Sequence, residues 1–498
     1  MAHSYIDCDR DQLFLLPPSL LEWIPEDDLA FFVIDAVSMI DTSAFHDRHP
    51  NDGAGRPAYH PDMMLSLLLY AYCIGMRSSR AIERACRSDV AFKVISANKV
   101  PDHGTIARFR AENADAIGSV FVDVLKLCRA AGLASLGRIA IDGTKIGSDA
   151  ALDRNRDAEW IRAEIDKILS EAESTDSNED ARPELFSTDV LPEALRRRGT
   201  RLARLQGALA EIEEQERAVR AEREQKAAKA TAEAEQGRRL RGRKPTDPHE
   251  ALARAEADLL ATQVQAGRHP ESEHHAEAVT AAEHELASAR LAAEAAPPEK
   301  IQANVTDPES RIMKTQQGWV QGYNVQAAVN EHQVVIAYSA TKDHNDANQL
   351  LPMITATEET ATAAGIDEEV GLVTADAGYW GEENATAEGP DRLIATTKDW
   401  KQRKAAREMG TTIGPPPEDA STLEAMEHRL RTSEGAAAYA TRSYTVEPVF
   451  GDAKENRGFR RFMRRGQTAA QGEAGLIFTT HNLLKVFRHD PSVVLRTT

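Results

Sequence analysis

Residues 136–147, LGRIAIDGTKIG, decide how the rest of the chain is read. Ile139, Ala140 and Ile141 form a short apolar run that ends in Asp142-Gly143, the pattern of a buried strand followed by a turn. Downstream, WVQGYNVQAAVNEHQVVIAYSAT (319–341) predicts two antiparallel strands turning near Asn330 and Glu331. ANQLLPMITATEETATAAG (347–365) predicts a helix after Asp346, and VGLVTADAGY (370–379) and DRLIATT (391–397) two further strands. KDWKQRKAAREMGTTIGPPPEDAST (398–422) reads as a loop, and the rest of the C-terminal part as helices. Strand, strand, strand, helix, strand, strand, helix is the order of an α/β fold with a mixed sheet and flanking helices.

Upstream of this core the pattern is helical. PDMMLSLLLYAYCIG (61–75) predicts a buried helix, SSRAIERACRSDVAFKVIS (78–96) a second, and PDHGTIARFRAENADAIGSVF (101–121) a third, opened by Asp102 and Thr105 as caps. LLPPS, NDGAGRP and NKVPDHG punctuate the helices. The last pair is compatible with DNA docking through Thr105, Arg108 and Arg110, although most helix pairs in small domains only pack against one another. Between the first strand and the next, from about Asp153 to Glu299, Ala, Glu, Arg and Gln dominate. Leu195, Leu202, Leu205, Leu209, Ile212 and Val219 recur at near-heptad spacing, predicting a helical hairpin or coiled coil split by GRRLRGRKPTDPHE (237–250). The expected organisation is therefore a helical domain 1–135, a first piece of the core 136–152, a helical insertion 153–300 and the remainder of the core 301–498.

The 498 residues suit two or three domains. Apolar runs fall short of the roughly 20 residues of a membrane span, and MAHSYIDCDRDQ lacks the charged start and apolar middle of a secretory signal. A cytoplasmic, nucleoid-associated protein with no membrane partner is expected. Cys8, Cys73, Cys86 and Cys128 include no CxxC pair and read as reduced core thiols. His269, His274, His275 and His284 lie in a polar helical tract without Cys and read as solvated side chains rather than a zinc site. A net charge of −19 opposes binding to phosphate, but charge is uneven along the chain. From Ala438 to Arg465, Arg442, Lys454, Arg457, Arg460, Arg461, Arg464 and Arg465 face only Glu447, Asp452 and Glu455, a formal +4. That basic run can follow a DNA backbone with Phe459 and Phe462 pinned in the core, or form a solvated helix face. RRLRGRKP (238–245) reads first as a solvated loop between helices, with a minor-groove hook as the alternative.

Three acids stand out by position. Asp142 ends IAID, Asp376 ends LVTAD, and Glu447 opens the apolar-basic helical stretch EPVFGDAKENRGFRRF. Strand ends of an α/β sheet deliver side chains from distant positions into one crevice. Carboxylates without a His or Cys set suit Mg²⁺ or Mn²⁺, and two such ions can drive phosphodiester chemistry. Yet Asp142-Gly143 alone reads more readily as a turn, and spacing does not select these three from 79 acidic residues.

The wording of the motifs adds to this. IDGTKI (141–146), TDPESRIMKT (306–315), GYNVQAAV (322–329), ADAGYW with EEN (375–384), TVEPVFGDAKENRGFRRFMRRG (445–466) and THNLLK (480–485) closely resemble bacterial insertion-sequence DDE transposases with a ribonuclease H-like core. LFLLPPSL, GRPAYHPDMML and PDHGTIARFR resemble the helical N-terminal domain of a subgroup with a long helical insertion after the first Asp. The resemblance covers most of the chain and implies that Asp142, Asp376 and Glu447 are the metal-binding triad, holding two Mg²⁺ ions for which Mn²⁺ substitutes. It also implies a Tyr-Arg-Glu-Lys signature, matched by Tyr439, Arg442, Glu447 and Lys454. Seven residues, two helical turns, would keep Glu447 and Lys454 on one face so that the lysine holds a phosphate. Four residues separate Arg442 from Glu447 where the commoner pattern has three, and Pro448 marks the start of the regular helix. The implied partners are double-stranded DNA, as terminal inverted repeats and target, and a second copy of the chain; no small-molecule substrate is implied. The implied function is cleavage and strand transfer, with a nuclease that cuts without joining, or an inactive DNA-binding derivative, as alternatives.

Overall fold

The computed structural model describes residues 19–47, 58–180, 193–240, 242, 244–268, 270–297, 300–315, 318–398, 401, 404 and 408–495. It divides into two compact units, residues 1–152 with 310–498, and residues 153–309.

The first unit begins with helices α1 (Leu29–Ser38), α2 (Pro61–Cys73), α3 (Ser79–Ser88), α4 (Val90–Ile95), α5 (His103–Glu112) and α6 (Ala114–Ala130). Side chains of Asp28, Ser78, Asp89 and Asp102 each accept a hydrogen bond from a first-turn N–H, which satisfies donors the helix itself cannot. Two of the runs expected as single helices are broken. Asp89 takes an extended backbone to cap α4, and Asn113 separates α5 from α6. These helices have no core of their own. Their buried side chains join one cluster with the sheet, and α2 and α6 pack on the C-terminal helix Gln467–His489. The boundary expected at residue 135 is thus not a break in packing, because α2 is apolar nearly all round and needs cover on every side.

Strand β1 (Arg138–Gly147) follows, and then the second unit. A short strand β2 (Asn155–Asp157), which the composition did not signal, pairs antiparallel with β3 (Gln302–Asn304). Between them stand helices α7 (Ala158–Asp180), α8 (Glu193–Glu235), α9 (Pro248–Arg268) and α10 (Glu273–Glu294). Leu202, Leu205, Leu209 and Ile212 of the near-heptad series pack with Ile161 and Ile168, while Val219 is only half-buried. Leu195 and His269 lie outside the described side chains. Farther along α8, Ala230 and Ala234 meet Ala257 and Ala261 of α9 in a second small core. Within the loop 237–250, Arg254 donates to the carbonyls of Leu240 and Gly242, and Lys244 pairs with Glu285. Arg241 and Arg243 lie outside the described residues.

The chain then returns to the first unit through β4 (Arg311–Thr315), β5 (Gly318–Asn330), β6 (Val335–Thr341), α11 (Leu350–Ala363), β7 (Leu372–Ala375) and β8 (Asp391–Ile394). The sheet runs β5-β1-β7-β8, with β4 and β6 sharing the outer edge of β5. β5 is antiparallel to β1, β4 and β6, whereas β1, β7 and β8 are parallel. Pairing of β1 with β5 is unbroken from Ile139↔Asn330 to Gly147↔Gly322. Asp142-Gly143 is therefore mid-strand, neither a turn nor a strand end. A Cβ on Gly322 would lie 2.2 Å from the Ile146 carbonyl oxygen, so glycine there permits the close approach of the two strands.

The C-terminal part contains α12 (Thr422–Arg431), α13 (Ser433–Ala440), α14 (Arg442–Thr445), α15 (Glu447–Gly451), a π-helical turn (Asp452–Asn456) and α16 (Gln467–His489). The basic run after Asn456 is not helical. Phe459 and Phe462 are buried, and Phe462 N–H donates to the Gly147 carbonyl at 2.7 Å while Gly147 N–H donates to the Arg460 carbonyl at 3.1 Å. Backbone hydrogen bonding thus splices this segment onto the end of β1. No described helix is long and apolar enough to cross a membrane. Cys73, Cys86 and Cys128 are free and buried, and Cys8 lies outside the described residues.

Candidate active site

Parallel pairing matches Ile141 of β1 to Ala375 of β7, and the next residue on each strand is an aspartate. Parallel neighbours in register project to one face about 4.8 Å apart, so the ladder itself delivers Asp142 and Asp376 to one place. β7 ends there. On that side β1 is paired again only at Gly147, by Arg461, among the described residues. Residues 142–146 form an opening in the sheet with Asp142 at its inner end.

Arg442 fills the space between the two acids. Its Nη2 lies 2.8 Å from Asp142 Oδ2 and 3.9 Å from Asp376 Oδ2, and the residue is 5% exposed. Asp376 Oδ1 also accepts from Gly378 N–H at 2.8 Å, which fixes the carboxylate as the chain leaves the strand. Burial pushes the Asp142 carboxyl up to about 6; the Arg442 charge opposes this, and the neighbouring Asp376 and Asp346 charges add to it. A half-buried acid with two other carboxylates nearby is a place of surplus negative charge, which a cation relieves.

Alternation along β1 puts Gly143 and Lys145 on the face opposite Asp142 and Thr144. A fourth carboxylate, Asp346, is held on that other face. Its Oδ1 accepts from Lys145 Nζ at 3.2 Å, Asn324 Nδ2 at 2.7 Å and Gln326 Nε2 at 2.9 Å. The hydroxyl of buried Tyr379 donates to Gln326 Oε1. Gly143 makes room for this group, since a Cβ there would stand 2.4 Å from Gln326 Nε2 and 2.8 Å from Asp346 Oδ1. Sequence reading missed Asp346. The available signal was Asn324 and Gln326, two amides at alternate positions in the middle of a mostly apolar strand, whose side chains had to face something polar.

Glu447 stands in the first turn of α15 and is exposed. It does not close on the aspartates: among the described residues the His, Asp or Glu atoms that gather within 4.8 Å as a possible metal group are those of His46, His60 and Asp62, in the helical N-terminal part. Lys454 Nζ donates to Thr144 Oγ1 at 2.5 Å and to the Lys145 carbonyl at 3.0 Å, at the opening in β1. The expected two α-helical turns from Glu447 to Lys454 are replaced by one short α-helix and the π-turn, so the lysine reaches β1 from a wider coil. Tyr439 packs beside Leu393, Met426 and Leu430.

The expected DNA-contacting cations fare unequally. Arg457 is buried, with Nε 2.9 Å from Asp452 Oδ2 and Nη1 bonded to Thr480 Oγ1, and Arg110 is buried on Tyr72 and the Arg77 carbonyl. Both are structural, because each guanidinium is buried and directed at protein groups rather than at solvent. Thr105 is tied to Asp102, leaving Arg108 as the exposed cation of α5. Arg460 pairs with Glu455, Arg461 and Arg465 both pair with Asp149, and Arg464 is half-buried. Much of the local +4 is thus neutralised by intramolecular acids.

The chain matches the family model Transposase domain (DUF772) over residues 18–112 and the model Transposase DDE domain over residues 397–487. Neither curated proteins nor solved structures give a match. The helical N-terminal part and the segment carrying Arg442, Glu447 and Lys454 are thereby covered by two transposase models in the order expected from the motifs. Both matches are to transposase models, and together they support an insertion-sequence DDE transposase, an enzyme that cuts and joins DNA.

Proposed function

We propose that this transposase binds the terminal inverted repeats of its element and performs metal-dependent cleavage and strand transfer on a ribonuclease H-like core, with Asp142, Asp376 and Glu447 as the metal-binding triad. The observation that carries the reading is the adjacency of Asp142 and Asp376 at the end of the β1–β7 ladder, bridged by one guanidinium. The strand order, with three antiparallel strands leading through a helix to two parallel ones, supports the core.

DDE transposases generally use divalent metal ions, and the residues present fit them. The donors are hard carboxylate oxygens, and Asp142 is a half-buried acid with the Asp376 carboxylate beside it. Two Mg²⁺ ions, or Mn²⁺ in their place, would supply an activated water or 3′ hydroxyl and a stabilised leaving oxygen. In this assignment Asp142, Asp376 and Glu447 would hold the ions, with Asp142 and Asp376 already adjacent. Arg442 neutralises the aspartates and turns to a phosphate when they are otherwise satisfied, while Lys454 offers its ammonium at the opening of β1. The Tyr439, Arg442, Glu447, Lys454 set thus reads as the Tyr-Arg-Glu-Lys signature. Handling two DNA ends together calls for at least a dimer, with the inserted unit a surface suited to its contacts.

A supercoiled-plasmid assay with DNA carrying the element's ends and Mg²⁺ tests this. Wild-type protein is expected to give joined products, and Asp376→Asn to bind ends without joining them. Nicks alone would indicate a nuclease, binding without cleavage an inactive derivative, and full activity in Asp376→Asn would overturn the triad.

A further inference from the structure

Beside Gly143 a groove of about 910 Å³ is floored by β1 and reaches the β4–β5 hairpin. Its lining includes Lys145 and Arg460, which pair with Asp346 and Glu455, and Lys314 and Lys454, which form no ion pair among the described residues, in a chain whose net charge is −19. At the far end Lys314 and Trp319 are directly opposite in the antiparallel ladder, so their side chains stand next to each other on one face. Both are exposed, Trp319 by 62%. A large indole left in water at the mouth of a cationic groove has no role in the core, and charge and aromatic surface together suit a nucleic acid strand, phosphates on the ammonium groups and a base on the ring.

Trp319 lies eight positions along β5 from Ala327, the residue facing Asp142. At about 3.3 Å per residue this is roughly 26 Å. At a rise of about 3.4 Å per nucleotide along a duplex axis, the hairpin meets the DNA on the order of seven or eight nucleotides from the bond at the acids.

We propose that this groove holds one DNA strand running from Asp142 to the hairpin, with Lys314 on a backbone phosphate and Trp319 stacked on a base that is unpaired there. The proposal rests on the DDE reading of the acids. It assigns Lys314 and Trp319 to positioning the DNA, since neither touches the acids.

The test compares end binding and cleavage by full-length wild type, Trp319→Ala, Trp319→Phe and Lys314→Ala. The probe is duplex DNA from the flank of the coding region, either fully paired or with one strand unpaired at that distance from the cleavage position. Trp319→Ala is expected to lose roughly ten-fold in affinity for the unpaired probe, with little change on the paired one, and Trp319→Phe to recover most of it. Lys314→Ala should weaken both and lower the salt dependence by about one ion. Equal loss on both probes in Trp319→Ala overturns the stacking, and wild-type binding by folded Trp319→Ala and Lys314→Ala overturns the groove. Asp376→Asn run alongside separates the two readings: its inactivity with unaltered Trp319→Ala leaves the acids in place and removes only the groove.

Discussion

The sheet around β1 and the inserted unit 153–309 are built by opposite means. In the sheet, side chains 234 positions apart, Asp142 and Asp376, become neighbours because two strands pair in one register. In the insertion, contacts come from stripes of residues three and four apart along long helices, closed by alanine clusters such as Ala230, Ala234, Ala257 and Ala261. A one-residue slip in the sheet would turn every acid to the wrong face, whereas a slipped helical stripe can repack. The proposed chemistry thus falls where geometry is least tolerant.

That contrast can be broken deliberately, and the largest effect belongs to the sheet. Asp142→Asn should lower strand-transfer rate by at least about 10³-fold, measured on plasmid joining, while unfolding stays cooperative. Next comes the support beneath the site, where Asp452 binds Arg457 and the buried His481. Burial works against the charged Asp452, but the His481 hydrogen bond and the Arg457 charge outweigh it and hold the carboxyl well below the usual range. Asp452→Asn should cost about 3 kcal/mol in denaturant unfolding by leaving a buried guanidinium unpaired. Because the folded-state pKa is depressed, this contribution is complete above about pH 4 and is lost as pH falls below it; the variant should show a flatter acid limb.

In the inserted unit, Leu205→Ala removes a buried anchor between α7 and α8 and should cost about 2 to 3 kcal/mol. Hydrogen exchange should register the loss within 153–309 and leave the β1 amides protected; equal loss of protection in β1 would mean that the two units unfold together. The smallest effect is expected at Lys226, whose ammonium lies 2.8 Å from both Glu222 and Glu250 on the surface. Lys226→Ala should change stability by less than about 1 kcal/mol, and less again at high salt.

Legibility followed the range of the interactions. The helix opened by Asp102 and the hairpin near Asn330 were readable, since a cap and a turn are made by neighbours in sequence. The strand through Asp142-Gly143 was misread as ending there, because the glycine answers to Asp346 and Gln326, residues about 200 positions away. Likewise Arg457 read as a free cation of the basic run and Arg110 as one on a helix pair compatible with DNA docking. Only the packing shows that Asp452, Thr480 and Tyr72 have claimed them.

By itself the sequence pointed to a mixed α/β sheet with flanking helices, to a long helical stretch after its first strand, and to motifs that resemble a DDE transposase. These depend on periodicity, caps and residue identity, all of which are local. Tertiary structure alone decided that Asp142 and Asp376 share one end of a ladder under Arg442 and that Asp346 is held on the other face of β1. Such facts are set by strand register and by burial, which couple residues across hundreds of positions and leave no periodic trace in the chain.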